Sequence, residues 1–174
     1  MTTLHRIYQM AWLVDDIEPA ARSWAAQAGA GPFFLIPHFA FLDPLYRGQA
    51  TGPAITIALG YCGDVMLELI VDHGAPSVFG ETARRRGDPP ALHHVAQLTD
   101  AMDATLARLA DAGSPTVFTA KFPPETRAAF VDTCASLGCF TEVIEATPPL
   151  VGLQQLMRSA TDAWDGTTDL LRGF

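Results

Sequence analysis

The sequence predicts an α+β protein of two tandem β-α-β-β-β modules followed by a helical tail. Three observations carry that expectation. The stretch YQMAWLVDDIEPAARSWAAQAG returns later as HHVAQLTDAMDATLARLADAG, with the same order of events: apolar strand, acidic cap, amphipathic helix, glycine stop. Further strand-like runs follow each helix. Four polar residues each interrupt one apolar run: Gln9 in IYQMAWLV, Glu68 in VMLELIV, His94 in ALHHVAQL and Glu142 in CFTEVIE. A lone carboxylate in such a run is costly to bury unless something pairs with it. Four together point to a metal cage or a catalytic cavity.

The elements follow in order. Arg6 to Val14 alternates as a strand, with Gln9, Ala11 and Leu13 on one face. Asp15 or Asp16 can cap a helix that tolerates Pro19 in its first turn and stops at Gly29. After the Gly31-Pro32 turn comes an aromatic strand, FFLIPHFAF, then a loop holding Asp43, Pro44, Tyr46, Arg47 and Gly48. ITIALGY and VMLELIV are close enough to form a hairpin. The first module thus covers residues 1–74, and a Gly-, Pro- and Arg-rich linker covers 75–91. The second module, 92–146, repeats the pattern through PTVFTAKF, RAAFVDTC and CFTEVIEA. Laying His94 on Gln9 also sets Ala96 on Ala11 and Leu98 on Leu13, and Glu142 then matches Glu68. In the tail, 147–174, Leu150, Leu153, Leu156, Met157, Ala160 and Trp164 recur at helical spacing. That face is expected to pack on the sheets; a lid or dimer contact is the alternative.

Composition narrows the function. Hydrophobic residues make up 49% of the chain, enough for a core and too much for a disordered segment. A net charge of −8 argues against nucleic-acid binding, which needs clustered cations. The one basic run, Arg84-Arg85-Arg86, is expected in a solvated loop, with an anionic-substrate contact as the lesser reading. Cys62, Cys134 and Cys139 have no paired spacing, so neither a disulfide framework nor a cysteine zinc site is expected. No secretory leader pattern and no membrane-length apolar run is seen, so a soluble cytoplasmic protein is expected, without a membrane partner.

The four passages YQMAWLVDDIE, GDVMLELIV, LHHVAQLTDAMDATLARLADAG and LGCFTEVIE, in this order and phase, resemble the vicinal oxygen chelate superfamily over residues from about 6 to 146. Its members include glyoxalase I, methylmalonyl-CoA epimerase, extradiol dioxygenases and bleomycin or fosfomycin resistance proteins. The resemblance implies mixed sheets curled around a metal cavity. By position it sets the metal ligands on Gln9, Glu68, His94 and Glu142. The set Gln, Glu, His, Glu resembles the cage of eukaryotic glyoxalase I, whereas two modules in one short chain is closer to the epimerases.

One amide oxygen, one imidazole and two carboxylates suit a divalent ion such as Zn, Ni, Co, Mn or Mg with positions left open. An open metal polarises a carbonyl and stabilises the charge left when the neighbouring proton is removed. The resemblance makes Glu142 the first expected base, with Glu68 able to serve on the opposite face. The implied activity is that of a metal-dependent lyase or isomerase of the glyoxalase type. The alternatives are an acyl-CoA epimerase and a non-catalytic antibiotic-binding protein; extradiol cleavage ranks low because Gln9 stands where a histidine is needed. The partner is then a small carbonyl or thioester molecule, and a homodimer is compatible with the resemblance. Arg47, Tyr46 and Phe34 are the candidate substrate contacts, Arg47 because its fork suits a carboxylate or phosphate. His93, adjacent to His94 in a strand, is expected to point away from it as a surface or hydrogen-bonded histidine.

Overall fold

A computed structural model of the chain describes residues 6–74, 76–86, 89–123 and 125–173, with the side chains of 83–86 outside the description. The first half gives β1 (Ile7–Leu13), α1 (Ile17–Ala28), β2 (Phe33–Phe39), β3 (Leu42–Tyr46), β4 (Gln49–Ala50), β5 (Ile55–Cys62) and β6 (Val65–Asp72). Then come α2 (Val78–Arg86) and the second half: β7 (Ala91–Thr99), α3 (Met102–Asp111), β8 (Thr116–Phe122), β9 (Thr126–Val131), α4 (Cys134–Leu137) and β10 (Phe140–Glu145). The tail forms α5 (Pro148–Asp162) and β11 (Leu171–Gly173). The α+β class and the repeated order of strand, helix and strands are thus present.

The described strands make one sheet of eleven, in the order β11-β2-β5-β6-β1-β7-β10-β9-β8-β3-β4. Its middle is the duplication. β1 runs parallel to β6 and antiparallel to β7, and β7 runs parallel to β10. Alternation sorts the side chains onto two faces. Leu67, Leu69 and Ala58 pack with Ile17 and Ala21 of α1. Ala129, Val131 and Val143 pack with Met102 of α3. The opposite face carries Ile55, Ile57, Phe118 and Phe130, with Phe79 of α2 set against them. Met157 of α5 packs there on Phe34, Tyr61 and Met66.

Helix α1 ends as its sequence dictates. The Asp16 carboxylate accepts from the Glu18 backbone N–H at 3.1 Å, and Gly29 closes the helix in the left-handed region at φ 65°. Helix α3 differs: no side chain caps it, because the helix begins only at Met102, beyond Asp100.

Two segments depart from expectation. The loop around Tyr46 is a hairpin, β3–β4, whose first strand pairs with β8 of the second half. The segment read as a linker holds α2, anchored by fully buried Val78 and nearly buried Phe79; nine residues with two apolar anchors give too little periodicity to betray a helix. The Arg84-Arg85-Arg86 run lies on that helix rather than in a loop, and its side chains lie outside the described residues. Cys62, Cys134 and Cys139 are not joined by a disulfide, and Cys139 is buried. No described helix is long and apolar enough to cross a membrane.

Candidate metal centre and cavity

The four residues singled out in the sequence sit on the four central strands, β6, β1, β7 and β10, and the register brings them into two neighbouring rows. Glu68 and His94 both pair with Ala11, one from each side. Gln9 and Glu142 both pair with Ala96. The two alanines, equivalent in the repeat, are each 0% exposed. A methyl group in the centre of each row leaves room for the longer side chains to converge.

They do converge. Glu68, His94 and Glu142 are all buried, and each presents a ligand atom within 4.8 Å of the others. Gln9 donates from Nε2 to Glu68 Oε2 at 2.6 Å. His94 Nε2 lies 3.3 Å from Glu68 Oε2 and 3.2 Å from Glu142 Oε2, yet it makes no well-directed hydrogen bond. A buried ring nitrogen that faces two carboxylates at this distance, without a well-directed bond to either, has the position of a group that could share a cation with them. The donor chemistry agrees: carboxylate and imidazole suit a divalent ion, and the Gln9 side-chain oxygen is available as a fourth donor. The residues present therefore fit a divalent metal.

Electrostatics tell the same story. Burial alone would hold the His94 imidazole low, but the Glu142 and Glu68 carboxylates outweigh it and bring its pKa up to about 9. Burial pushes the Glu142 carboxyl above its ordinary range; Glu68 adds to this and His94 opposes it. Without a cation, a proton has to stand in for the missing positive charge.

Two residues that alternation would send elsewhere also reach the site. β1 and β7 fall out of register at two points, once between Ile7 and Gln9 and once between Ala11 and Trp12. At the first, Tyr8 is the extra residue; at the second, His93 is. His93 is consequently hydrogen-bonded, one of the two expected alternatives, but it is neither at the surface nor pointing away from its neighbour. It is fully buried, its Nδ1 lies 2.7 Å from His94 Nδ1, and its ring stacks on Phe79 with centroids 4.9 Å apart. Burial first, and then the neighbouring His94, holds its imidazole well below the ordinary range, so it stays neutral and accepts from His94. Tyr8 lines the same cavity as Gln9. Its surroundings, followed by the Glu142 and Glu68 charges, hold the phenol well above its ordinary pKa, so it remains a proton donor.

The cage opens into a cavity of about 630 Å³. Phe39 and Phe41 line it, as do Leu150, Leu153 and Met157 of the tail helix. The proposed contacts Tyr46, Arg47 and Phe34 do not lie among the lining residues. Arg47 Nη2 pairs instead with Glu81 Oε1 at 2.8 Å, and the Tyr46 hydroxyl donates to Glu81 Oε2 at 2.6 Å. Those bonds, Tyr46 foremost, raise the Arg47 pKa and tie the β3–β4 hairpin to α2. Phe34 is covered by α5 beside Met157.

The model of the glyoxalase/bleomycin resistance protein/dioxygenase superfamily matches residues 8–130, most of the chain. The chain belongs to this superfamily. Solved structures agree on the fold. A hypothetical protein from Bacillus halodurans C-125 superposes with a TM-score of 0.59 at 15% identity, covering 83% of this chain and 96% of its own. Methylmalonyl-CoA epimerase from Mycobacterium tuberculosis gives 0.58 at 19% identity, with 87% and 95% covered. A selenomethionine methylmalonyl-CoA epimerase gives 0.54 at 14% identity, with 84% and 99% covered. No curated protein matches the chain in sequence. In this member of the superfamily, the strands that the duplication makes equivalent are the ones that carry the cage.

Proposed function

We propose that the chain is a metal-dependent isomerase or lyase that moves a proton at the carbon next to a carbonyl. The observation that carries this reading is the buried convergence of Glu68, His94 and Glu142, with an unbonded His94 nitrogen between the carboxylates. Glu68, His94, Glu142 and Gln9 would hold the ion. A divalent metal bound there supplies a Lewis acid that polarises the carbonyl and stabilises the negative charge left by proton removal.

The protein's own groups divide the remaining work. Glu142 is the base. Burial makes its carboxylate more basic than usual, and no amide ties it down as Gln9 ties Glu68. In an isomerisation Glu142 takes the proton from one carbon and returns it to the next. In an epimerisation Glu68, across from it, delivers the proton to the opposite face. Tyr8 stays protonated and can donate a hydrogen bond to a substrate oxygen. The buried walls keep water from the carbanionic carbon.

The ligand order favours the glyoxalase form, acting on a thiol adduct of a 2-oxoaldehyde. Epimerisation of an acyl-CoA thioester is the alternative, supported by the epimerase folds. A second reading, sequestration of a small molecule without chemistry, is favoured by the apolar cavity. Elemental analysis of protein purified without added metal, followed by solvent-deuterium exchange across hemithioacetals and acyl thioesters, tests the proposal. Metal-loaded protein should exchange the α-proton of at least one such substrate. Glu142→Gln should abolish that exchange while keeping its metal, since an amide oxygen still coordinates. Unchanged exchange in Glu142→Gln removes that residue from the base role.

A further inference from the structure

The walls of the cavity say more about its occupant than the cage does. The carboxylates and the His94 imidazole belong to one cluster, whereas Ile57, Leu59, Phe39, Phe41 and Phe122, with His38 the one other histidine, line the walls around it. The aromatic rings pack edge to face, Phe39 on Phe41 at 5.0 Å and on Phe122 at 5.8 Å, which fixes the wall rather than leaving it to collapse. A volume of about 630 Å³ is that of a site for a drug-sized molecule, several times what a three- or four-carbon acyl unit fills.

The charges matter as much as the size. Among the described residues, no lysine or arginine lines the cavity. Several of the described cations are paired with acids of their own: Arg47 with Glu81, Lys121 with Glu125, Arg127 with Asp103 and Arg158 with Asp64. The chain as a whole carries −8, so its field repels anions. A glutathione adduct brings carboxylates and an acyl-CoA brings phosphates. Neither kind of anion finds a lysine or arginine among the described lining residues, and an unpaired buried anion is costly, so such charged ends would lie outside these walls.

We infer that the part of the substrate held within this cavity is uncharged and largely hydrophobic, whatever charge the rest of the molecule carries outside it. The inference rests on the metal reading above and narrows its substrate class. A hydroxamate series tests it, because the head group offers two adjacent oxygens and the tail can be varied. Calorimetric titration of zinc-loaded protein with acetyl, butyryl, hexanoyl and octanoyl hydroxamates should show Kd falling about fourfold per added methylene, the value of burying one CH₂. Suberic monohydroxamate, equally long but ending in a carboxylate, should bind at least about tenfold weaker than the octanoyl compound. A flat length series, or tighter binding of the carboxylate tail, overturns the inference.

The same tails on primary amides, titrated into chelator-treated protein, separate the two ideas. If the hydroxamates gain nothing over the amides in zinc-loaded protein, the metal reading fails, while a length dependence in the amides still supports the hydrophobic occupant. If acetohydroxamate binds only with zinc but neither series responds to length, the metal reading stands and the inference falls.

Discussion

His94 shows how much one ring can decide. Its Nδ1 is taken by His93 and its Nε2 faces two acids, so the site must hold either a proton or a cation there. The sign of the resulting pH dependence follows. His94 in the folded chain has its pKa raised to about 9, above the ordinary 6.5, so the stabilisation is fully present below 6.5 and is lost as pH rises through 9. Glu142, also raised, acts in the same direction: its neutral form is favoured in the fold and is given up as pH rises. The melting temperature of chelator-treated protein should therefore fall between pH 6.5 and 9.5. A saturating divalent ion should remove that fall by replacing the proton. A metal-free protein whose melting temperature is flat across this window would contradict the ion-or-proton account. Ala96 offers a second test at this scale. Fully buried between Gln9 and Glu142, it has no space for more atoms. Ala96→Val should cost about 1–3 kcal/mol by overpacking. It should also weaken metal binding about tenfold or more, by holding the ligands apart. Thermal melts and metal titration read the two effects separately. The four cage residues were legible in the sequence because alternation and duplication both place them, and each is polar where its neighbours are apolar.

Alternation fails where a strand carries an extra residue, and here it fails twice. The bulges at Tyr8 and His93 fall at positions that the repeat makes equivalent, so each half turns an additional polar side chain toward the centre. Hydrophobic periodicity holds no record of a bulge, which is why the sequence put His93 on the wrong face and passed over Tyr8. The same reasoning explains α2 and the β3–β4 hairpin. Their stability comes from tertiary partners, Phe79 stacked on His93 and Arg47 paired with Glu81, and not from any pattern of their own. The β7 bulge makes a definite prediction. With His93 accepting at Nδ1, the His94 ring is held so that Nε2 presents its lone pair to the cluster. His93→Phe preserves the stacking on Phe79 but removes the acceptor, so metal affinity should drop about 10- to 100-fold with the fold intact. His93→Gln can accept through its side-chain oxygen and should recover most of the affinity. Equal loss in both variants would mean that packing, rather than the hydrogen bond, matters at this position.

At the scale of the molecule, the two halves are tied by more than the central β1–β7 pair. Each outer edge of the sheet is finished by a segment from elsewhere in the chain. The first half lends β3, which pairs with β8 and extends the second half. The tail, beyond the second half, lends β11, which pairs in parallel with β2 of the first. Short terminal strands of this kind protect longer ones whose backbone groups would otherwise be open to another chain. No local sequence signal announces β11; three residues take their strand form from the neighbour they join. Ending the chain after Asp162 isolates this contribution. The Phe33 N–H loses its acceptor, the Leu170 carbonyl at 2.7 Å, and Leu170 and Leu171 leave the cluster beneath α1. Two partly buried leucines and the lost strand pairing amount to about 2–5 kcal/mol. For a chain of this size that is roughly 5–15 °C in melting temperature. Light scattering should show more concentration-dependent self-association than in the full-length protein, because the β2 edge is now open. Metal affinity should stay within about threefold of the full chain, since the four cage strands lie at the centre of the sheet and keep both their neighbours. An unchanged melting temperature would show that β11 is an ornament of the edge, whereas a collapse of metal binding would show that the tail and the cage are coupled through α5.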